Sequence, residues 1–264
     1  LLSSAELPGL AGGIEPVVIA GREDVALRLF AFPHAGGNHN SFQTWASGLP
    51  GDVEVISYSL PGRGRQQDEP PYQEWQSLIG DLVDFVRLHD DGAPFAFFGH
   101  SFGALVAFEV CRQLRLENRR GPAVLFVSAH RAPHLSPGEQ KRFLPQERFV
   151  GLVREWGLVP EELLADDELL QLVLPPLRAD VTLDEEYRCR TGGRSGGRLS
   201  VPCVVYGGAE DPTVCPEQLP AWREHFDDDT SFGVEILPGG HFAAAARRPA
   251  PGRGQRFRPD LNFS

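Results

Sequence analysis

Short apolar runs alternate with helix-like periods along nearly the whole chain, and that alternation admits few folds. Residues 25–32 (VALRLFAF), 53–60 (VEVISYSL), 95–98, 123–129 (AVLFVSA), 201–206 (VPCVVY) and 234–237 read as strands. Several are nearly continuous in Val, Ile, Leu and Phe, as parallel strands covered on both faces should be. Between them lie helical periods. In 73–89, Trp75, Leu78, Ile79, Leu82, Val83 and Val86 share one helix face, and 103–117 and 216–226 behave similarly. The pattern predicts an α/β fold: a mostly parallel, doubly wound sheet with helices on both faces. At 264 residues the chain fits one large domain.

One stretch breaks the alternation. From His134 to about residue 190 there is no good strand, only helical pieces at 146–156, 160–164 and 167–187, the last interrupted by Pro175-Pro176. An insertion after a strand of an open sheet sits over the carboxyl edge, where ligands bind, so 135–190 is expected to be a lid. The expected map is a flexible arm over 1–14, one α/β domain over 15–246, and a basic, disordered tail over 247–264. That tail holds five arginines and one acid, net +4, which leaves −15 on the remainder of a chain of formal charge −11. Such a balance argues against nucleic acid as a partner. No apolar run approaches the ~20 residues that cross a bilayer, and the first residues do not read as a signal peptide. Cys111, Cys189, Cys203 and Cys215 have no metal-ligand spacing. Neither a metal nor another cofactor is expected, and a reducing cytoplasm fits.

Two Gly-x-Ser-x-Gly matches occur, around Ser101 and around Ser195. A nucleophilic serine on such a sheet needs a strained strand-to-helix turn, with glycines permitting close approach. Ser101 follows the strand at 95–98 and precedes the helix at 103–117, whereas Ser195 lies in a polar glycine run with no periodicity. Ser101 is therefore the candidate nucleophile. It needs a base, and the base needs an acid to orient it. Glu210 and Asp211 follow the strand at 201–206, and His241 follows the strand at 234–237 in a glycine turn. Asp211 is preferred over Glu210 because Pro212 holds it in a turn. Two backbone N–H donors should receive the oxyanion, from Phe102 after the nucleophile and from Ala35 in the "FPHAGG" turn. His34 and Gly36 of that turn are expected to shape the substrate pocket, and His100 to be structural.

Several segments together resemble type II thioesterases of polyketide and nonribosomal peptide assembly lines. They are "FAFPHAGG", "LPGRGRQ", "FFGHSFGALVAFE", "LFVSAHRAPHL", "LPPLRADVTLDEEY", "YGGAEDPTV", "AWREHF" and "LPGGHF", in order over about 25–242. The resemblance implies an α/β-hydrolase fold with a helical lid, and Ser101, Asp211 and His241 as nucleophile, acid and base. It also implies hydrolysis of acyl thioesters from the phosphopantetheine arm of acyl or peptidyl carrier proteins. Phe102 stands where the family often has Met, and an Ala run from Ala243 replaces the usual second aromatic.

Other readings stay open on sequence alone: a cyclising release thioesterase, a small-molecule esterase, or a carrier-binding protein with a disabled triad. Carriers of this kind tend to be acidic, so docking is expected at local arginines near the cleft, with Arg63, Arg65 and Arg131 as candidates.

Overall fold

The structure, a computed structural model, describes residues 13–21, 24–136, 138, 140–189 and 197–245. Most of the expected arm, Ser195 and the expected tail lie outside the described residues. Seven strands form one sheet: β1 (Glu15–Ala20), β2 (Leu27–Phe32), β3 (Val53–Ser59), β4 (Phe95–His100), β5 (Leu125–Ser128), β6 (Cys203–Gly208) and β7 (Phe232–Leu237). Their order is β1-β3-β2-β4-β5-β6-β7. Only β1 runs antiparallel, against β3; every other pairing is parallel.

The strand β1 is an addition to the sequence reading. It is six residues long and carries Pro16, which removes a ladder donor and confines such a strand to a sheet edge. Among the described residues five α-helices accompany the sheet: α1 (Trp75–Leu88), α2 (Phe102–Leu116), α3 (Gln146–Trp156), α4 (Glu161–Leu164) and α5 (Asp167–Glu186). The expected helix at 216–226 is instead a 3-10 segment, Pro216–His225. Pro220 in its interior has no N–H to give, which shortens the hydrogen-bonded runs.

Among the helices of 135–190, α5 does not break at its prolines; Pro175 and Pro176 lie inside it. Their missing donors orphan the carbonyls four residues earlier, those of Gln171 and Leu172. Both residues lie on the exposed side of the helix, where solvent can reach them. The next turn is buried through Leu174, Pro176 and Leu177, and that packing holds the helix straight through.

The core has two layers. Phe30 and Phe32 of β2 face α1 and α2, while Leu29 and Ala31 face the other side, where the 3-10 segment His39–Ser47 places Phe42 and Trp45. On that second side the indole N–H of Trp45 donates to Ala245 O at 3.0 Å. Every residue of β4 is buried, as a central parallel strand requires. Phe97 sits edge-on to Phe30 and Phe32, with ring centroids 5.8 and 5.0 Å away. Cys111 and Cys203 are buried free thiols, and burial pushes both well above the usual thiol range. Among the described residues no helix is long and apolar enough to cross a membrane.

Phe97→Ala should leave a cavity that neighbouring rings cannot refill, lowering stability by about 3–5 kcal/mol. Chemical denaturation monitored by fluorescence will test this; an unchanged midpoint would show that β4 is not the centre of the core.

Candidate active site

Ser101 links the end of β4 to the start of α2 with φ 55° and ψ −124°. A non-glycine residue held there carries on the order of 1–3 kcal/mol of backbone strain. Two hydrogen bonds hold it: Ser101 N–H donates to Ser128 O, and Ala104 N–H to Ser101 O, both at 2.8 Å. The flanking glycines explain how the turn closes. A Cβ on Gly99 would come within 2.5 Å of Ala104 Cα, and one on Gly103 within 2.5 Å of Pro33 O. Gly103 therefore admits the loop after β2 against the first turn of α2, bringing Ala35 and Phe102 into one neighbourhood. Among the described residues nothing accepts a hydrogen bond from the Ala35 amide, and the Phe102 amide, first in its helix, has no partner inside it.

A second close approach joins the other two residues. A Cβ on Gly208 would lie within 2.5 Å of Gly239 O, so the ends of β6 and β7 meet without side chains between them. Glu210 N–H donates to Gly239 O at 3.0 Å. Asp211 then forms a closed turn: its Oδ1 accepts from Thr213 N–H at 2.8 Å, Thr213 Oγ1–H at 2.7 Å and Val214 N–H at 3.3 Å. Its Oδ2 lies 2.8 Å from His241 Nδ1. An ionised carboxylate only accepts, so Nδ1 carries the proton and Nε2 keeps its lone pair. Thr213 Oγ1 lies 2.9 Å from the same Nδ1. Neither the Asp211 side chain, 0% exposed, nor that of His241, 5% exposed, faces open solvent. Burial alone would raise the Asp211 carboxyl. The hydrogen bond and charge of His241, with the Thr213 donors, outweigh it and hold the group below the usual carboxylate range.

Ser101 Oγ makes no hydrogen bond to His241 among the described residues. The His241 ring lies 5.0 Å from that of His100, the residue before the serine, and a nucleophile–base bond commonly tightens only in the substrate complex. Two further imidazoles surround the site. Burial, then the charges of His241 and His34, push His100 well below the usual histidine range. His34, 6.0 Å from His100 and 5.2 Å from Phe242, falls to about 4 through burial and the His241 charge, with a backbone hydrogen bond at Leu158 partly opposing. Both are neutral near pH 7.

The structure revises three expectations. Arg63 is buried, with its guanidinium locked on Asp180 of α5 at 2.8 and 3.0 Å, so it has no free charge for docking. Arg131 is ion-paired to Asp184 at 3.2 Å, beside His130. Gly36 spends its amide on Asp180 Oδ2 at 2.8 Å, which gives it a structural part in the loop after β2. Arg65 keeps an exposed side chain, 83%, with Glu15 at 3.5 Å. Thr213 was missed, although an Asp followed two residues later by Thr is a recognisable turn signal. Among the described residues no three His, Cys, Asp or Glu side chains converge to hold a metal ion. A groove of about 670 Å³ between α1 and the end of α2 lies at the opposite edge of the sheet.

Residues 27–250 match the family model described as a thioesterase domain. Linear gramicidin dehydrogenase LgrE of Brevibacillus parabrevis is 38% identical over 218 residues, covering 81% of this chain and 80% of that one. Thioesterase PikA5 of Streptomyces venezuelae is 35% identical over 217 residues, covering 82% and 75%. Among solved structures, the type II thioesterase BorB from the borrelidin biosynthetic cluster aligns with a TM-score of 0.76 at 30% identity, covering 90% of this chain and 93% of BorB. No Gly-x-Gly-x-x-Gly dinucleotide turn occurs in the present sequence.

Asp211 and Glu210 are separable by substitution. Asp211→Asn, which permits the wrong imidazole tautomer, should lower turnover by about 10³–10⁴-fold, while Glu210→Gln should change it by less than about twofold. Equal effects of the two, measured as kcat on one acyl substrate, would reject Asp211 as the orienting acid.

Proposed function

The chain belongs to the thioesterase domain family, and we propose that it hydrolyses acyl thioesters held on the phosphopantetheine arm of carrier proteins, as an editing enzyme of polyketide or nonribosomal peptide synthesis. The observation that carries this reading is the Asp211–His241 hydrogen bond of 2.8 Å, at the same sheet edge as the strained turn of Ser101. The departures after His241 leave that bond in place, which supports an intact triad over a disabled one. A cytoplasmic setting fits the four free cysteines.

In the first half-reaction Ser101 Oγ attacks the thioester carbonyl carbon while His241 Nε2 takes its proton. The carbonyl π pair moves onto oxygen, and the Phe102 and Ala35 amides receive that charge. The dipole of α2 also favours it. Collapse expels the pantetheine thiolate, which leaves with the proton from His241, and a Ser101 ester remains. In the second half water attacks that ester, giving its proton to His241. Ser101 departs as the alcohol and free acid is released. Asp211 stabilises the imidazolium in both halves. His34 and His100, neutral through burial, take no proton from the base and add no repelling charge.

Arg65 is the docking residue that survives from the sequence reading. It follows β3 at the carboxyl edge, and its exposed cation suits an acidic carrier surface.

Ser101→Ala should lower release of free acid from acyl-loaded carriers by about 10⁴-fold or more, read by mass spectrometry of the carriers. Near-wild-type hydrolysis would end the assignment, and equal activity on simple esters with no advantage from a carrier would turn it into an esterase. Arg65→Glu should raise KM for acyl-carrier and flatten its salt dependence, with turnover of a small acyl thioester unchanged. Identical KM and salt dependence would remove Arg65 from the docking surface.

A further inference from the structure

Asp180 lies within α5 of the lid, 1% exposed, far from Ser101 in the chain and outside the triad. Its carboxylate accepts three hydrogen bonds: from Gly36 N–H at 2.8 Å, Arg63 Nη1 at 2.8 Å and Arg63 Nη2 at 3.0 Å. Arg63 Nη1 also donates to Gly37 O at 3.1 Å. The loop after β2 is thereby gripped at two successive residues, by a carboxylate on the Gly36 amide and a guanidinium on the Gly37 carbonyl.

That grip reaches the Ala35 amide through one peptide plane. Gly37 N–H donates to His34 O at 2.9 Å. The oxygen of His34 and the N–H of Ala35 belong to the same planar unit and point in opposite directions. Fixing Gly37 fixes the His34 carbonyl, and fixing that carbonyl aims the Ala35 N–H. Gly36 has φ +71°, and a Cβ there would meet Leu177 Cβ at 3.1 Å, so α5 packs directly on this turn one helical turn before Asp180.

Stability alone does not account for such an arrangement. A buried ion pair gives little net stability over apolar packing, and here Arg63 Nε is buried without a hydrogen-bond partner among the described residues. What a bidentate fork supplies is direction.

We propose that Asp180 is a positioning residue for the reaction: through Gly36, Arg63 and Gly37 it aims the Ala35 amide, so the oxyanion site is complete only while α5 is seated on the loop. This rests on the reading above in which Ala35 N–H receives the oxyanion. Two more acids seat the same helix: half-buried Asp184 holds His130 and Arg131, and buried Glu185 accepts from the Lys141 and Arg142 amides. In this account α5 is the fixed beam of the lid and part of the chemical apparatus.

The test uses Asp180→Asn with a short acyl thioester of N-acetylcysteamine as substrate and an alkylboronic acid as inhibitor. The boronate forms a tetrahedral adduct on Ser101 and loads the oxyanion site without turnover. The expected result is a kcat lowered about 10–100-fold, KM within about threefold, and boronate affinity falling in proportion to kcat/KM. A folded variant with wild-type kcat and boronate affinity overturns the proposal, and so does one in which only the melting temperature moves. If Asp180→Asn does not fold, Arg63→Lys decides. It keeps the cation but loses the fork, and parallel losses of kcat and boronate affinity support the proposal while unchanged values overturn it. Wild-type protein that releases no acid, or Ser101→Ala that still does, would instead defeat the underlying thioesterase reading.

Discussion

The site exists because three stretches of main chain come closer together than any side chain would permit. Gly103 lets the loop after β2 rest on the first turn of α2, and Gly99 lets β4 run into that same turn. Gly208 does the corresponding service between the ends of β6 and β7. A methyl group at any of these positions would overlap backbone atoms, which cannot swing aside as a side-chain end can. The strain at Ser101 is tolerable because β4 before it is buried along its whole length and α2 after it is packed in the core, which determines the path of the chain on both sides.

Around this frame the electrostatics suit the proposed chemistry, in which one imidazole carries the proton traffic. Three histidines, His34, His100 and His241, lie in ring contact through one another and Phe242. Only His241 has a carboxylate on its Nδ1. The other two lose basicity through burial and through the charge His241 would bear. A second protonated ring in the cluster would repel the imidazolium on which the proposed chemistry depends. Desolvation thus keeps His34 and His100 neutral, and the Asp211 carboxylate marks out His241 as the proposed base.

The sheet was legible from sequence because parallel strands are written as continuous apolar runs, and the candidate triad because each member follows such a run. What could not be read is what depends on distant partners. The edge strand β1 hid because Glu15 and Pro16 dilute a six-residue pattern. Pro175 and Pro176 looked like a break, since nothing local reveals that the turn before them is exposed while the next is buried. Arg63 looked like a surface charge in a Gly- and Arg-rich loop, yet its partner, Asp180, is 117 residues away. Asp180 itself carries no local signal: an acid in a helix reads as solvated until the other chain segments are placed around it.

The bond from Trp45 to Ala245 bears on how the imidazole is held. The segment from Leu237, at the end of β7, to Ala245 is short and is fastened at both ends to opposite portions of the domain. So brief a tether has little conformational freedom to surrender, and it fixes where the ring stands before any carboxylate touches it. What remains for Asp211 is the ring's rotation and its choice of tautomer, much as a set screw fixes the angle of a shaft already seated in its bearing.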